Sequence, residues 1–143
     1  GKIPAEFSRV CLMELRMPEK SGEELPECSP SEAWKVISTR FPIDFEPWYL
    51  DMSHRVRHGV SRCVSDGRSA LVVQHSIGSE SLISQVLPDF EGKGYAGGLL
   101  RRVCRALGGE IQVICEDRLT GFYEKFGFRH AGYRYCAARI REE

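Results

Sequence analysis

The sequence predicts one domain of mixed α/β class, built on a single central sheet. Three observations predict it. A length of 143 residues suits one domain with a proper core. Short apolar runs alternate with stretches of helical spacing in the order β, α, α, β, β, β, α, β, α, β, and no repeat, low-complexity tract or linker divides them. A glycine-rich turn, Asp89-Phe-Glu-Gly-Lys-Gly-Tyr-Ala-Gly-Gly98, joins a strand-like run to the strongest amphipathic pattern in the chain.

Each element has a local reason. Ser8 to Met17 is apolar enough for a first strand, and Pro18 to Cys28 is a polar loop. Ser29-Pro-Ser-Glu32 is a capping box, with Ser29 as N-cap, Pro30 at the first helical position and Glu32 reaching back. Ala33, Val36, Ile37 and Phe41 carry that helix to about Thr39, before Pro42. A second helix spans Pro47 to His58, with Trp48, Tyr49, Met52 and Val56 on its apolar side and Gly59 as its stop. Val60 to Val64 and Ser69 to Ile77 form a hairpin across Ser65-Asp-Gly-Arg68. Glu80 to Leu87 is apolar on both alternating faces, as a central strand covered on both sides should be. After the glycine turn, Ala96, Leu99, Leu100, Val103 and Leu107 recur at helical spacing, opposite Arg101, Arg102 and Arg105. Gly108-Gly109 ends the helix, and Glu110 to Cys115 is a buried strand. Leu119 to Phe126 is a short helix stopped by Gly127, and one or two strands close the chain to about Ile140.

Composition narrows the partners. Lys plus Arg and Asp plus Glu are 20 each, so the basic surplus of a nucleic-acid binder is missing. No apolar run approaches the ~20 residues of a membrane span. Gly1-Lys-Ile-Pro has no apolar signal core, so the expectation is a soluble, cytoplasmic protein without nucleic-acid or membrane partners. A leading Gly without Met points to a tag scar or a piece of a longer chain, and residues 1–143 are expected to form a single domain. Of the cysteines at 11, 28, 63, 104, 115 and 136, none forms a C-x-x-C pair, so buried reduced thiols are expected. His54 and His58 have metal-ligand spacing but arginines beside them and no third ligand, which reads as a solvated basic helix end; no metal is expected.

The glycine turn suits an anion, because the following helix points its N–H groups and positive dipole end into it. Gly92-x-Gly94-x-x-Gly97 has the spacing of a dinucleotide fingerprint, with Glu116 placed like a ribose-binding acid. Against that, Pro88-Asp-Phe-Glu91 separates the strand from the first glycine, and under 30 residues follow Glu116. A purely structural bend is the bland alternative. No Gly-Lys-Ser/Thr ends the turn, so a Walker loop is excluded.

Val86-x-Pro88, Gly92-Lys-Gly94-Tyr-Ala96 and Leu99-Leu100, followed by Gly121-Phe-Tyr-Glu-Lys-Phe-Gly-Phe128, together resemble the GNAT superfamily of acyl-CoA-dependent N-acetyltransferases. The motifs lie within Glu80 to Phe128, about a third of the chain. The resemblance implies a mostly antiparallel central sheet, splayed at the CoA site, with helices on both faces. It implies acetyl-CoA as co-substrate and a small-molecule or peptide amine as acceptor, attacked directly. The diphosphate of CoA would lie on the backbone of Gly92, Lys93, Gly94, Tyr95, Ala96 and Gly97, and its pantetheine along Gln85, Val86 and Leu87. Tyr123 matches the family tyrosine that returns a proton to the leaving thiolate; the ordinary alternative is a core aromatic. Glu80 matches the register of a catalytic base, and its alternative is a solvated residue after Gly78-Ser79. His75 is a further candidate on the acceptor side. Two acids depart from the family pattern: Glu91 stands where Gln or Arg is usual, and Glu116 where Asn is frequent. They keep an acyl-CoA-binding regulatory or degenerate domain open as an alternative.

Overall fold

The computed structural model describes residues 7–39, 44–75, 80–84 and 94–137. Its elements are β1 (Phe7–Met17), β2 (Glu27–Cys28), α1 (Pro30–Ile37), α2 (Phe45–Arg57), β3 (Ser61–Ser65), β4 (Ala70–His75), β5 (Glu80–Ser84), α3 (Tyr95–Leu107), β6 (Gly109–Cys115), a 3-10 turn (Asp117–Leu119), α4 (Thr120–Glu124) and β7 (Arg129–Ala137). The strands form one sheet in the order β2-β3-β4-β5-β6-β1-β7. The β5–β6 pair is parallel and every other neighbouring pair is antiparallel.

Local sequence accounts for the boundaries. The Ser29 side chain accepts from the Glu32 N–H at 3.2 Å and Glu32 Oε2 accepts from the Ser29 N–H at 3.2 Å, so the capping box is closed. That helix stops at Ile37, short of Thr39, where the Thr39 hydroxyl donates to the Val36 carbonyl at 2.6 Å. α2 begins at Phe45, two residues ahead of Pro47, which sits in the first turn where no N–H is needed. The stretch expected as one loop after Met17 contains the two-residue β2, too short to show an alternating pattern. The expected helix over Leu119 to Phe126 is a 3-10 turn followed by the five-residue α4, and Gly127 at φ +91 ends it. Pro42, Ile77 and Ile140 lie outside the described residues.

Alternation along the strands sends side chains to two separate cores. Val64, Leu71, Val73, Ile83, Ile111, Val113 and Met13 pack beneath α3 and α4, against Leu99, Leu100, Val103, Tyr123 and Phe128. Cys63, Ala70 and Val72 face the other way, under Ala33 and Ile37 of α1 and Trp48 and Met52 of α2. Helices therefore cover both faces. Burying Leu99, Leu100 and Val103 contributes roughly 1.5–3 kcal/mol each, which docks α3 and fixes where its N-terminus lies. Over β1 and β6 one face is polar instead: Gln112 Nε2 donates to Glu14 Oε1 at 3.3 Å, and Arg16 lies 3.8 Å from Glu110. An antiparallel sheet tolerates such a solvated face.

The element order did not reveal where β1 goes. It enters the interior of the sheet, antiparallel to β6 from Cys11↔Cys115 to Met17↔Gly109 and antiparallel to β7 on its other side. A register shift at Leu12/Met13 bends the second pairing. No helix among the described residues is long and apolar enough to cross a membrane.

Candidate active site

The site is assembled around the start of α3. Gly94, its N-cap, has φ +81 and ψ +8, a left-handed conformation that a residue with a Cβ adopts only with strain. Open space surrounds the position, so glycine is required there by backbone geometry alone. Gly97 has a different reason: a Cβ there would come 2.7 Å from Phe126 Cζ, so the missing side chain lets α3 close on the segment after α4. Ala96 is buried, Tyr95 is half-buried, and the first turn of α3 carries no acid. That suits an anion at the helix terminus. Gln85, Val86, Leu87, Gly92 and Lys93 lie outside the described residues.

β5 and β6 are the one parallel pair of the sheet. Their ladder runs from Glu80↔Glu110 to Ile83↔Val113 and, among the described residues, ends there, while β6 continues to Cys115. Tyr123 is packed next to that end of β6. It is 2 % exposed, with its ring 5.1 Å from Phe122 and 5.7 Å from Phe128. Its carbonyl accepts from the N–H groups of Phe126 at 3.0 Å and Phe128 at 3.3 Å, which ties its backbone to the turn over Gly127. Burial, reinforced by the Cys115 thiol, raises the phenol above its ordinary range. It is therefore held neutral and keeps its proton. Cys115 is itself pushed up to about 11 by burial and by Cys11, Asp117 and Glu116. Cys11 donates its S–H to Asp117 Oδ1 at 2.7 Å.

Glu80 opens β5 with its backbone opposite Glu110; its side chain lies outside the described structure. Glu110 and Cys115 are five residues apart, so Glu80 and the Tyr123 neighbourhood are separated by roughly 16 Å along the strand direction. The fold does not bring the two candidate groups together at backbone level. His75 pairs by backbone with Ser81, and its side chain is also outside the description. The rings of His54 and His58 meet at a tilt of 54° with centroids 4.3 Å apart at the exposed end of α2, and no group of three metal-ligating side chains occurs among the described residues. Glu116 is exposed, with Arg118 Nε at 2.6 Å. Arg101 lies over the Phe126 ring at 5.0 Å, and Arg102 is exposed.

Sequence reasoning missed two features. A cavity of about 280 Å³ opens between α2 and the β3–β4 pair, over Trp48, Met52 and Val72 with Asp51, Ser61 and Gln74 at its polar side. The second is Arg68, whose guanidinium carbon lies 4.3 Å from the centre of the Tyr95 ring. Neither has a local signature: the cavity depends on how α2 packs on the β3–β4 pair, and the Arg68 contact on the meeting of a hairpin with α3.

The dinucleotide alternative does not survive the topology. Beyond β6 the sheet continues with antiparallel β1, so the second parallel β-α-β half is not built. No family model and no curated protein matches the chain. Solved structures do. A GCN5-related N-acetyltransferase from Sphaerobacter thermophilus superposes with TM-score 0.64 at 17 % identity, over 89 % of this chain and 49 % of that one. A putative GNAT-family acetyltransferase from Novosphingobium aromaticivorans gives 0.62 at 18 %, over 92 % and 63 %. A GCN5-related N-acetyltransferase from Kribbella flavida gives 0.55 at 12 %, over 94 % and 59 %. The chain thus spans about half to three-fifths of the length of these structures, and it has their fold.

Proposed function

We propose that this chain, which has the GNAT acetyltransferase fold, moves an acetyl group from acetyl-CoA to the primary amine of a small-molecule or peptide acceptor. One observation carries the reading: a buried, proton-holding Tyr123 lies against Cys115 at the end of β6, in a fold whose α3 begins on a helix terminus able to hold a phosphate. The residues present fit CoA. The start of α3 is a glycine-capped, acid-free helix N-terminus, whose backbone N–H groups suit the diphosphate.

When bound, acetyl-CoA supplies an activated thioester. The acceptor nitrogen bonds to its carbonyl carbon, the C–S bond breaks, and the sulfur leaves with the electron pair. The Tyr123 hydroxyl delivers the proton that the departing thiolate takes up. A lysine-like amine with pKa near 10.4 needs ~4.6 kcal/mol to lose its proton at pH 7, so a base helps. Glu80, acting through water, receives that proton in this reading, and the protein's solvent returns one to Tyr123.

Calorimetry with acetyl-CoA, CoA and NADH, paired with thiol release over a panel of amines, tests the proposal. Heat with both CoA species, none with NADH, and thiol release with at least one amine are expected. A response to NADH alone sinks it, and CoA binding without turnover on any amine would leave a CoA-binding regulatory domain.

A further inference from the structure

We infer that the cavity under α2 holds the far end of the acceptor, and that it selects a primary amine with an apolar body tipped by a neutral hydroxyl or carboxamide; the inference rests on the function proposed above. The floor of the cavity is Trp48 and Met52 of α2 and Val72 of β4, all buried. One polar side chain is set into that floor. Ser61, the first residue of β3, is only 2 % exposed, yet its hydroxyl has no hydrogen-bond partner among the described residues. A buried hydroxyl left unpaired costs free energy, which a ligand group able to bond it recovers. Gln74 lies directly opposite Ser61 in the β3–β4 register, so the two side chains stand on one face. Its carboxamide is half-buried, lines the same cavity and is likewise unpartnered among the described residues. Together the two residues can donate to and accept from one neutral polar group.

The charges at the rim cancel. Arg55 Nε lies 3.0 Å from Asp51 Oδ2, so the carboxylate and the guanidinium are already engaged with each other. A second ammonium or a carboxylate pushed onto this apolar floor would be buried without a partner, a cost that a hydroxyl or amide avoids. At about 280 Å³ the cavity falls just below the ~300–1,000 Å³ of sites that hold a whole drug-sized ligand, so it suits one end of a substrate. It also borders the strand that the proposed reaction uses. Val72 and Gln74 pair by backbone with Ser84 and Leu82, which places the cavity one strand away from β5 and its opening residue Glu80.

The test measures kcat/KM for acetyl transfer to four matched amines: hydroxyl-ended aminohexanol, methyl-ended heptylamine, cationic diaminohexane and anionic aminohexanoate. Wild type should favour aminohexanol over heptylamine by roughly three- to tenfold, the worth of a neutral hydrogen bond, and should favour it over both charged amines by more. Ser61→Ala and Gln74→Met should each draw the aminohexanol-to-heptylamine ratio towards one. Because Ser61→Ala removes an unpaired buried hydroxyl, its melting midpoint should not fall; a fall would show the hydroxyl already bonded within the fold and overturns the inference. A ratio that survives in both folded variants, or is absent in wild type, overturns it too and leaves the proposed function standing. Preference for a charged amine overturns the substrate class. CoA binding with no transfer to any amine overturns the function and this inference together.

Discussion

Tyr123 is a core side chain by its packing, and the proposed reaction assigns it chemistry as well. Its ring is wedged between Phe122 and Phe128 in the main core, and the same burial that stabilises the fold keeps its phenol protonated. Mutation separates the packing from the proposed chemistry. Tyr123→Phe keeps the ring and removes only the hydroxyl, so turnover should fall about a hundredfold, the lower end for general acid catalysis. CoA affinity should stay within about twofold, as calorimetry would record; unchanged turnover would remove Tyr123 from its role. At this scale the sequence marked Tyr123, Gly94 and Gly97 by motif, but the reasons differ and were not all visible. Gly94 needs its left-handed backbone, which a glycine in a turn already suggests. Gly97 needs the approach of Phe126, and Arg68 the meeting of a hairpin with a helix; both are tertiary facts with no local trace.

Among the elements, those governed by neighbours in sequence were legible. The Ser29 capping box and the apolar spacing of α3 were written locally and are built as written. Ser29→Ala should therefore destabilise the protein by about 1 kcal/mol, measured by urea unfolding, by freeing the Glu32 N–H at the start of α1. A loss near zero would mean that α1 is held by Ala33 and Ile37 in the core rather than by its cap. Elements set by distant partners were not legible. β2 exists because Glu27 and Cys28 meet Val64 and Cys63 across the sheet edge, and two residues carry no period. α4 is shorter than its pattern because the preceding turn stays 3-10, with the Thr120 hydroxyl bonded to the Asp117 carbonyl at 3.0 Å.

Over the whole molecule, buried thiols couple stability to pH. Burial is the main cause of each shift, from an ordinary value of 9.0 up to about 12 at Cys63 and Cys104 and about 11 at Cys28 and Cys115. Below pH 9 both folded and unfolded chains hold these protons, so the full stability is present. Between pH 9 and about 11–12 the unfolded chain releases them first, and the folded state loses ground. The melting midpoint should stay level to about pH 9 and then fall towards pH 12, with Tyr123 adding to the decline above 10. A level midpoint through pH 11.5 would contradict the burial of these groups. Fold class, helix placement and the two covered faces were legible from periodicity at this scale. Strand neighbours were not, since alternation tells which residues face a core and never which strand lies alongside.

The place of β1 has a consequence in time. A ribosome delivers β1 first, yet the two strands that flank it, β6 and β7, are delivered last, some 90 residues or more later in the chain. Until then its hydrogen-bonding edges have no native partner. The meander from β3 to β5 can form early from near contacts, but this side of the sheet must wait for the most distant ones, the slow kind in folding. Tyr123, which arrives just before β7, is put in place during that final closure.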